Sequence, residues 1–139
     1  MNKIKLKSIN GVMLILSIIG LIDSIYLSSY HYLGVPLVCS TSGIINCNNV
    51  INSPYGYIFG VPVAFYGVIF FVLEIILLLF IKDILKKVVL NIIGLGSVFY
   101  FFYAEYMVGN ICEYCTLVHI TVIILLSLSL YQYIKEPEK

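Results

Sequence analysis

The sequence holds four cysteines, Cys39, Cys47, Cys112 and Cys115, and the last two stand three apart in the stretch GNICEYCTLVH. Side chains at i and i+3 of a helix share one face, close enough for a disulfide across one turn. An apolar run, TLVHITVIILLSLSLYQYI, overlaps the end of that stretch, so the pair falls where a membrane-length helix begins. At such a start the helix dipole and unpaired amide groups favour the thiolate of Cys112, the attacking species in thiol–disulfide exchange. Cys115 falls one turn deeper, where a thiol can meet a lipid-soluble electron acceptor. The other two cysteines, Cys39 and Cys47, are separated by STSGIIN, whose small and polar residues predict a flexible, exposed tether. A tether of that kind can carry electrons from a soluble donor to the Cys112/Cys115 pair.

The elements that position these thiols are legible in composition. Of 139 residues, 61% are hydrophobic and 11% charged, against about one quarter charged in soluble domains. A hydrocarbon core about 30 Å thick needs roughly 20 apolar residues of helix. Four segments qualify, at residues 9–30, 61–81, 84–107 and 113–134, with an external loop at 31–60 between the first two. Backbone groups in lipid must be satisfied within the element, and no barrel-like alternation is present. The expected fold is therefore all-α and integral to the membrane, one domain over residues 1–139, built as a bundle of four transmembrane helices. MNKIKLK followed by an apolar run imitates a signal peptide; without a small-residue cleavage site, and with too long an apolar stretch, it is expected to stay attached. After Cys47, NNVINSPYGYIFGVP mixes apolar residues with turn formers. It predicts a short interfacial helix ending near Ser53 and an irregular return that covers the mouth of the bundle.

Charge orients the bundle. All eight basic residues are lysines, in clusters at Lys3, Lys5 and Lys7, at Lys82, Lys86 and Lys87, and at Lys135 and Lys139. In a four-span chain these clusters share one side, which the lysine bias makes cytoplasmic together with both termini. All four cysteines then fall on the extracytoplasmic side, where disulfides persist. A net charge of +1 and the absence of any nucleic-acid motif give no reason to expect a nucleic-acid partner. Three readings of the cysteines remain: a redox relay, a scaffold with two structural bridges, and a zinc site made by all four. Zinc wants converging thiolates at short spacing, which the STSGIIN spacer opposes, so no metal is expected.

Three stretches, GLIDSIYLSSYHY, VCSTSGIINCNNVINSPYGYIFGVPVAFYG and NICEYCTLVH, resemble the vitamin K epoxide reductase family from about Gly11 to Tyr133. The resemblance implies a four-helix membrane bundle in which electrons from a thioredoxin-like protein enter at the loop pair, pass to the C-x-x-C pair and reduce a quinone. Carried over, it makes Cys39 the cysteine that meets the partner, Cys47 the one that exchanges with Cys112, and Cys115 the one that faces the quinone. Ser53 matches a family serine or threonine near the quinone. Some larger relatives fuse a thioredoxin-like domain to the bundle; here the partner is expected to be a separate protein. The quinone type, ubiquinone, menaquinone or another, is left open.

Departures from the family pattern bear on activity. Where animal members place an asparagine that binds the quinone carbonyl, this chain has Val63, and where they place a tyrosine, it has His119. Imidazole can donate a hydrogen bond or a proton, so His119 is a candidate to hold the quinone. Disulfide generation is therefore expected ahead of vitamin K quinone or epoxide reduction. A second bacterial family of four-helix, quinone-linked oxidases carries its C-x-x-C pair in the first external segment, the reverse of the order here. Among ionisable residues within spans, Asp23 and Glu105 fall at a depth suited to proton supply, though hydrogen bonding to neighbouring helices or interfacial water is the expectation for each, and Glu74 falls toward the lysine side.

Overall fold

A computed structural model describes residues 2–39 and 42–136. Helix α1 spans Lys3–Leu33 and begins ahead of its apolar run, because the Asn2 side chain accepts from Ile4 N at 3.2 Å and caps the first turn. A short helix α2, Cys47–Ile51, and one tighter turn at Pro54–Gly56 follow. A small antiparallel hairpin pairs β1, Tyr57–Ile58, with β2, Val61–Pro62, so the return to the second span is more regular than NNVINSPYGYIFGVP implies. Helix α3, Val63–Ile76, leads into a wider final turn, Leu77–Ile81. The chain reverses at Lys82 and Asp83, and the Asp83 carboxylate caps α4, Ile84–Val108, by accepting from Lys86 N at 3.1 Å. Helix α5 runs Glu113–Lys135.

Four of these helices are long and apolar enough to cross a membrane. Their outward surfaces agree: Ile93 and Phe99 are 63% and 65% exposed, a cost in water but not in lipid. The chain is a multi-pass membrane bundle. Helix α1 packs along α3 and α5, and α4 along α5, while α3 and α4 touch little. The core is formed by Met13, Phe71, Leu78, Val98, Val122 and Leu125. Phe71 is wholly buried because its ring fills the space that a side chain at Gly20 would occupy, the close approach that small residues permit between membrane helices.

The two ends of the bundle differ. The end that carries Lys3, Lys86 and Lys135 holds a buried polar cluster. Lys87, 1% exposed, donates to Asn10 Oδ1 at 3.2 Å and Gln132 Oε1 at 2.9 Å. Gln132 Nε2 donates to Asn10 Oδ1 at 2.8 Å, and Asn91 Nδ2 reaches both Glu74 oxygens at 3.2 Å. Every long helix contributes, so the polar groups pair with one another across the inner seams. The opposite end carries the loop, α2, the hairpin and all four cysteines.

Candidate redox site

The loop is seated by a backbone pairing. Ile45 and Ile111 form a parallel bridge, with Asn46 N on Ile111 O at 3.0 Å and Ile111 N on Ile44 O at 2.8 Å. Asn110 strengthens it by donating to Ile44 O at 3.2 Å and accepting from Asn49 Nδ2 at 3.1 Å. Just beyond this bridge stand Cys47 in one segment and Cys112 in the other. Both are fully buried, and with Cys115 they share one cluster with Leu27, Val50 and Ile51. Asn46 caps α2 by accepting from Asn49 N at 3.1 Å, which turns Cys47 inward. The exposed tether read from STSGIIN is thus corrected at its second cysteine: Cys47 is 0% exposed, and Cys39 is half-buried. Residues 40–41 of that spacer lie outside the described residues. The loop ahead of Cys39 is gripped by tyrosines, with Val38 N on Tyr26 Oη at 2.9 Å and Tyr114 Oη donating to Val38 O.

Cys39 and Cys47 are joined by a disulfide, while Cys112 and Cys115 are free thiols. Their positions follow from how α4 stops. Gly109 adopts φ 79°, a left-handed conformation open to glycine at little cost, and its N–H closes the last turn on Glu105 O at 2.9 Å. The chain turns back and Cys112 caps α5, its N–H donating to Glu105 Oε1 at 3.2 Å and its sulfur accepting from Cys115 N at 3.4 Å. The hydrogen bond from the Cys115 side chain, aided by the backbone amides of Cys115 and Tyr114, holds the Cys112 thiol below its ordinary pKa in spite of burial. Cys112 is accordingly the readier nucleophile and leaving group of the pair.

Below this pair lies a cavity of about 670 Å³ between α1, α3, α4 and α5, roofed by Val50, Ile51 and Tyr55. Its walls are almost wholly apolar. The exceptions include Cys115 and, one turn deeper on the same helix, His119. His119 is 1% exposed, and neither ring nitrogen has a hydrogen-bond partner among the described residues. Its ring lies 5.1 Å from the rings of both Phe101 and Phe102. A buried imidazole without partners among the described residues thus stands beside a buried thiol at the cavity wall. Over residues 11–130 the sequence matches the vitamin K epoxide reductase family. The chain belongs to that family. A search of curated proteins finds no match.

Membership in the vitamin K epoxide reductase family makes the chain a membrane oxidoreductase and accounts for a thiol pair over an apolar cavity. The other residues singled out in the sequence fall as follows. Ser53 donates from Oγ to Val50 O at 2.6 Å, closing the turn after α2, and is not itself a cavity wall. Val63 is buried in the wall and offers no polar atom there. Asp23 is buried with Oδ2 unpartnered among the described residues, within electrostatic reach of Cys115. Glu105 holds the Cys112 amide, and Glu74 belongs to the polar cluster at the far end. His31 reaches the cavity and pairs through Nδ1 with Tyr57 Oη at 3.1 Å.

Two features had no advance reading. Glu113, between the two cysteines of the motif, brings a carboxylate oxygen within 4.8 Å of both Cys39 and Cys47 sulfurs. The signal for it was its place at the head of α5, on the side the loop must approach. The cover is also stitched to the bundle: Asn52 Nδ2 donates to Tyr30 Oη at 2.9 Å, Tyr100 Oη to Tyr55 O at 3.1 Å and Tyr66 Oη to Ile58 O at 3.0 Å.

Proposed function

We propose that this protein generates disulfides, taking electrons from a reduced thioredoxin-like protein through two cysteine pairs to a quinone. The single observation that carries this reading is the joining of both pairs at one end of the bundle. Cys47, Cys112 and Cys115 share a buried cluster, and Cys115 opens into an apolar cavity. A partner thiolate attacks Cys39, the Cys39–Cys47 bond breaks, and Cys47 leaves as a thiolate. Cys47 then attacks Cys112 in a Cys112–Cys115 bridge and releases Cys115 as a thiolate. The partner's second thiolate frees Cys39, which attacks Cys47 and releases Cys112. The sum is one partner disulfide formed and two electrons held on Cys112 and Cys115. A bridged loop pair beside two free thiols is one arrangement this cycle passes through.

The cavity suits a quinone. Its volume of about 670 Å³ falls within the roughly 300–1,000 Å³ common for small-molecule sites, and the unpartnered His119 nitrogens would meet a carbonyl oxygen. A bound quinone supplies a two-electron, two-proton acceptor. Cys115 and His119, both in the cavity wall, would face it and orient it, and Ser53 holds Val50 of the roof by donating to its carbonyl. Val63 leaves the wall beside it without a donor, which favours disulfide generation over epoxide reduction. The lysine bias gives cytoplasmic termini and four extracytoplasmic cysteines, so the partner is an extracytoplasmic protein.

The test is purified protein in lipid nanodiscs with a reduced thioredoxin-like protein and a series of quinones, read by quinone absorbance. Wild type is expected to turn over, and Cys47→Ser to lose turnover while still binding quinone. Normal turnover by Cys47→Ser would overturn the order of transfer.

A further inference from the structure

Glu113 has no part in the transfer just described, yet its carboxylate lies against the loop pair. Its oxygen and the sulfurs of Cys39 and Cys47 all fall within 4.8 Å of one another. While the bridge is intact the sulfurs bind each other and cannot both serve as thiolate ligands. Reduction changes the chemistry of the group: two sulfurs become available for deprotonation, with a hard anionic oxygen beside them. We propose that the reduced loop pair and Glu113 form a binding site for a thiophilic divalent cation of the Zn²⁺ class. The inference rests on a branch of the proposed cycle in which the partner's second thiolate frees Cys39 before Cys47 attacks Cys112, leaving both loop cysteines as thiols.

The geometry suits such an ion. Zinc–sulfur bonds of about 2.3 Å and zinc–oxygen bonds of about 2.0–2.2 Å in a tetrahedron place ligand atoms roughly 3.5–3.8 Å apart. The sulfurs move apart when their bond is broken, and the carboxylate has at most about 1.3 Å to travel from the 4.8 Å limit. The three ligands come from separate segments: the loop, the start of α2 and the head of α5. The Ile45–Ile111 pairing holds the start of α2 to the head of α5, and Tyr26 and Tyr114 hold Val38 beside Cys39, all independently of the disulfide. Glu113 is exposed and Cys39 half-buried, so a cation reaches the site from solvent, and water takes the fourth position. Binding converts two thiols to thiolates and releases two protons; reoxidation of the pair to a disulfide removes both sulfur ligands and expels the ion.

The consequence is a block on the donor side. A Cys47 thiolate held by a cation cannot attack Cys112, so the ion arrests the protein with its loop pair reduced while the cavity below is untouched. This differs from a site built from all four cysteines, since Cys112 and Cys115 take no part.

The experiment uses the full chain in detergent, reduced with a phosphine that is then removed, and titrated with Cd²⁺ while thiolate-to-cadmium absorption is read. One equivalent is expected to bind to the reduced protein and to be released when the loop pair is reoxidised. Cys39→Ser is expected to abolish binding and the double variant Cys112→Ser/Cys115→Ser to retain it. Glu113→Gln should weaken it at least tenfold or so, since even groups that only orient a ligand are worth about 10–100-fold in affinity. Unchanged affinity in Glu113→Gln, binding that survives Cys39→Ser, or loss in the double variant would each overturn the site. The titration needs neither quinone nor protein partner, so cadmium binding without quinone turnover would sink the proposed function alone, and turnover without cadmium binding would sink this site alone.

Discussion

Replacing His119 with phenylalanine is expected to make the ligand-free protein more stable and its quinone binding weaker. In the free protein both imidazole nitrogens are buried without partners among the described residues, and leaving a buried polar group unsatisfied costs about 1–3 kcal/mol. A phenyl ring keeps the contacts with Phe101 and Phe102 and adjoins a cavity that admits its slightly larger volume, so the variant should regain about 1–3 kcal/mol. Quinone loses one hydrogen bond, a net contribution of about 0.5–1.5 kcal/mol, which is roughly a 2- to 12-fold rise in Kd. Stability is read by unfolding in mixed micelles without quinone, and affinity by titration of the same preparation. Electron transfer from the partner as far as Cys112 and Cys115 should be unaffected, because the sulfurs that exchange lie above the substituted ring. A variant that is less stable than wild type and binds quinone with unchanged affinity would refute the reasoning and make His119 a packing residue.

Lys87→Met should destabilise the protein by about 1–3 kcal/mol in the same unfolding assay, since it leaves Asn10 and Gln132 without their shared cation; an unchanged midpoint would show that the cluster contributes nothing to stability. Cys115→Ala should raise the pH at which Cys112 becomes a thiolate, because the neighbouring thiol is the largest cause of its lowered pKa. Thiolate absorbance against pH measures this, and with Cys112 deprotonating at lower pH in wild type, the variant should need more alkaline solution for the same nucleophilic rate.

The long helices were legible because lipid demands long apolar runs, and the lysine clusters already separated the two ends of the chain. The C-x-x-C pair at the head of α5 was legible for the same reason: a short turn between two spans leaves the cysteines nowhere else to go. What sequence could not convey was contact between distant segments. STSGIIN reads as a loose spacer, and only the pairing of Ile45 with Ile111, 66 positions apart, explains why Cys47 is buried. Lys87 belongs to a lysine cluster that sequence uses only to orient the bundle, yet it is one helical turn inside α4 and faces Asn10 and Gln132. Imidazole was expected near the acceptor, but that its nitrogens find no partner among the described residues follows only from its apolar surroundings, Phe101 and Phe102 of α4 among them.

The stitching of the cover has a consequence for how such a protein can diverge. Tyr66, Tyr100 and Tyr114 donate to carbonyl oxygens of Ile58, Tyr55 and Val38 rather than to side chains. Those anchor points carry no residue identity, so substitutions along the outward face leave the anchorage intact. The outward surface of the cover is thereby free to drift, while the path of the polypeptide over the buried sulfurs stays as it is.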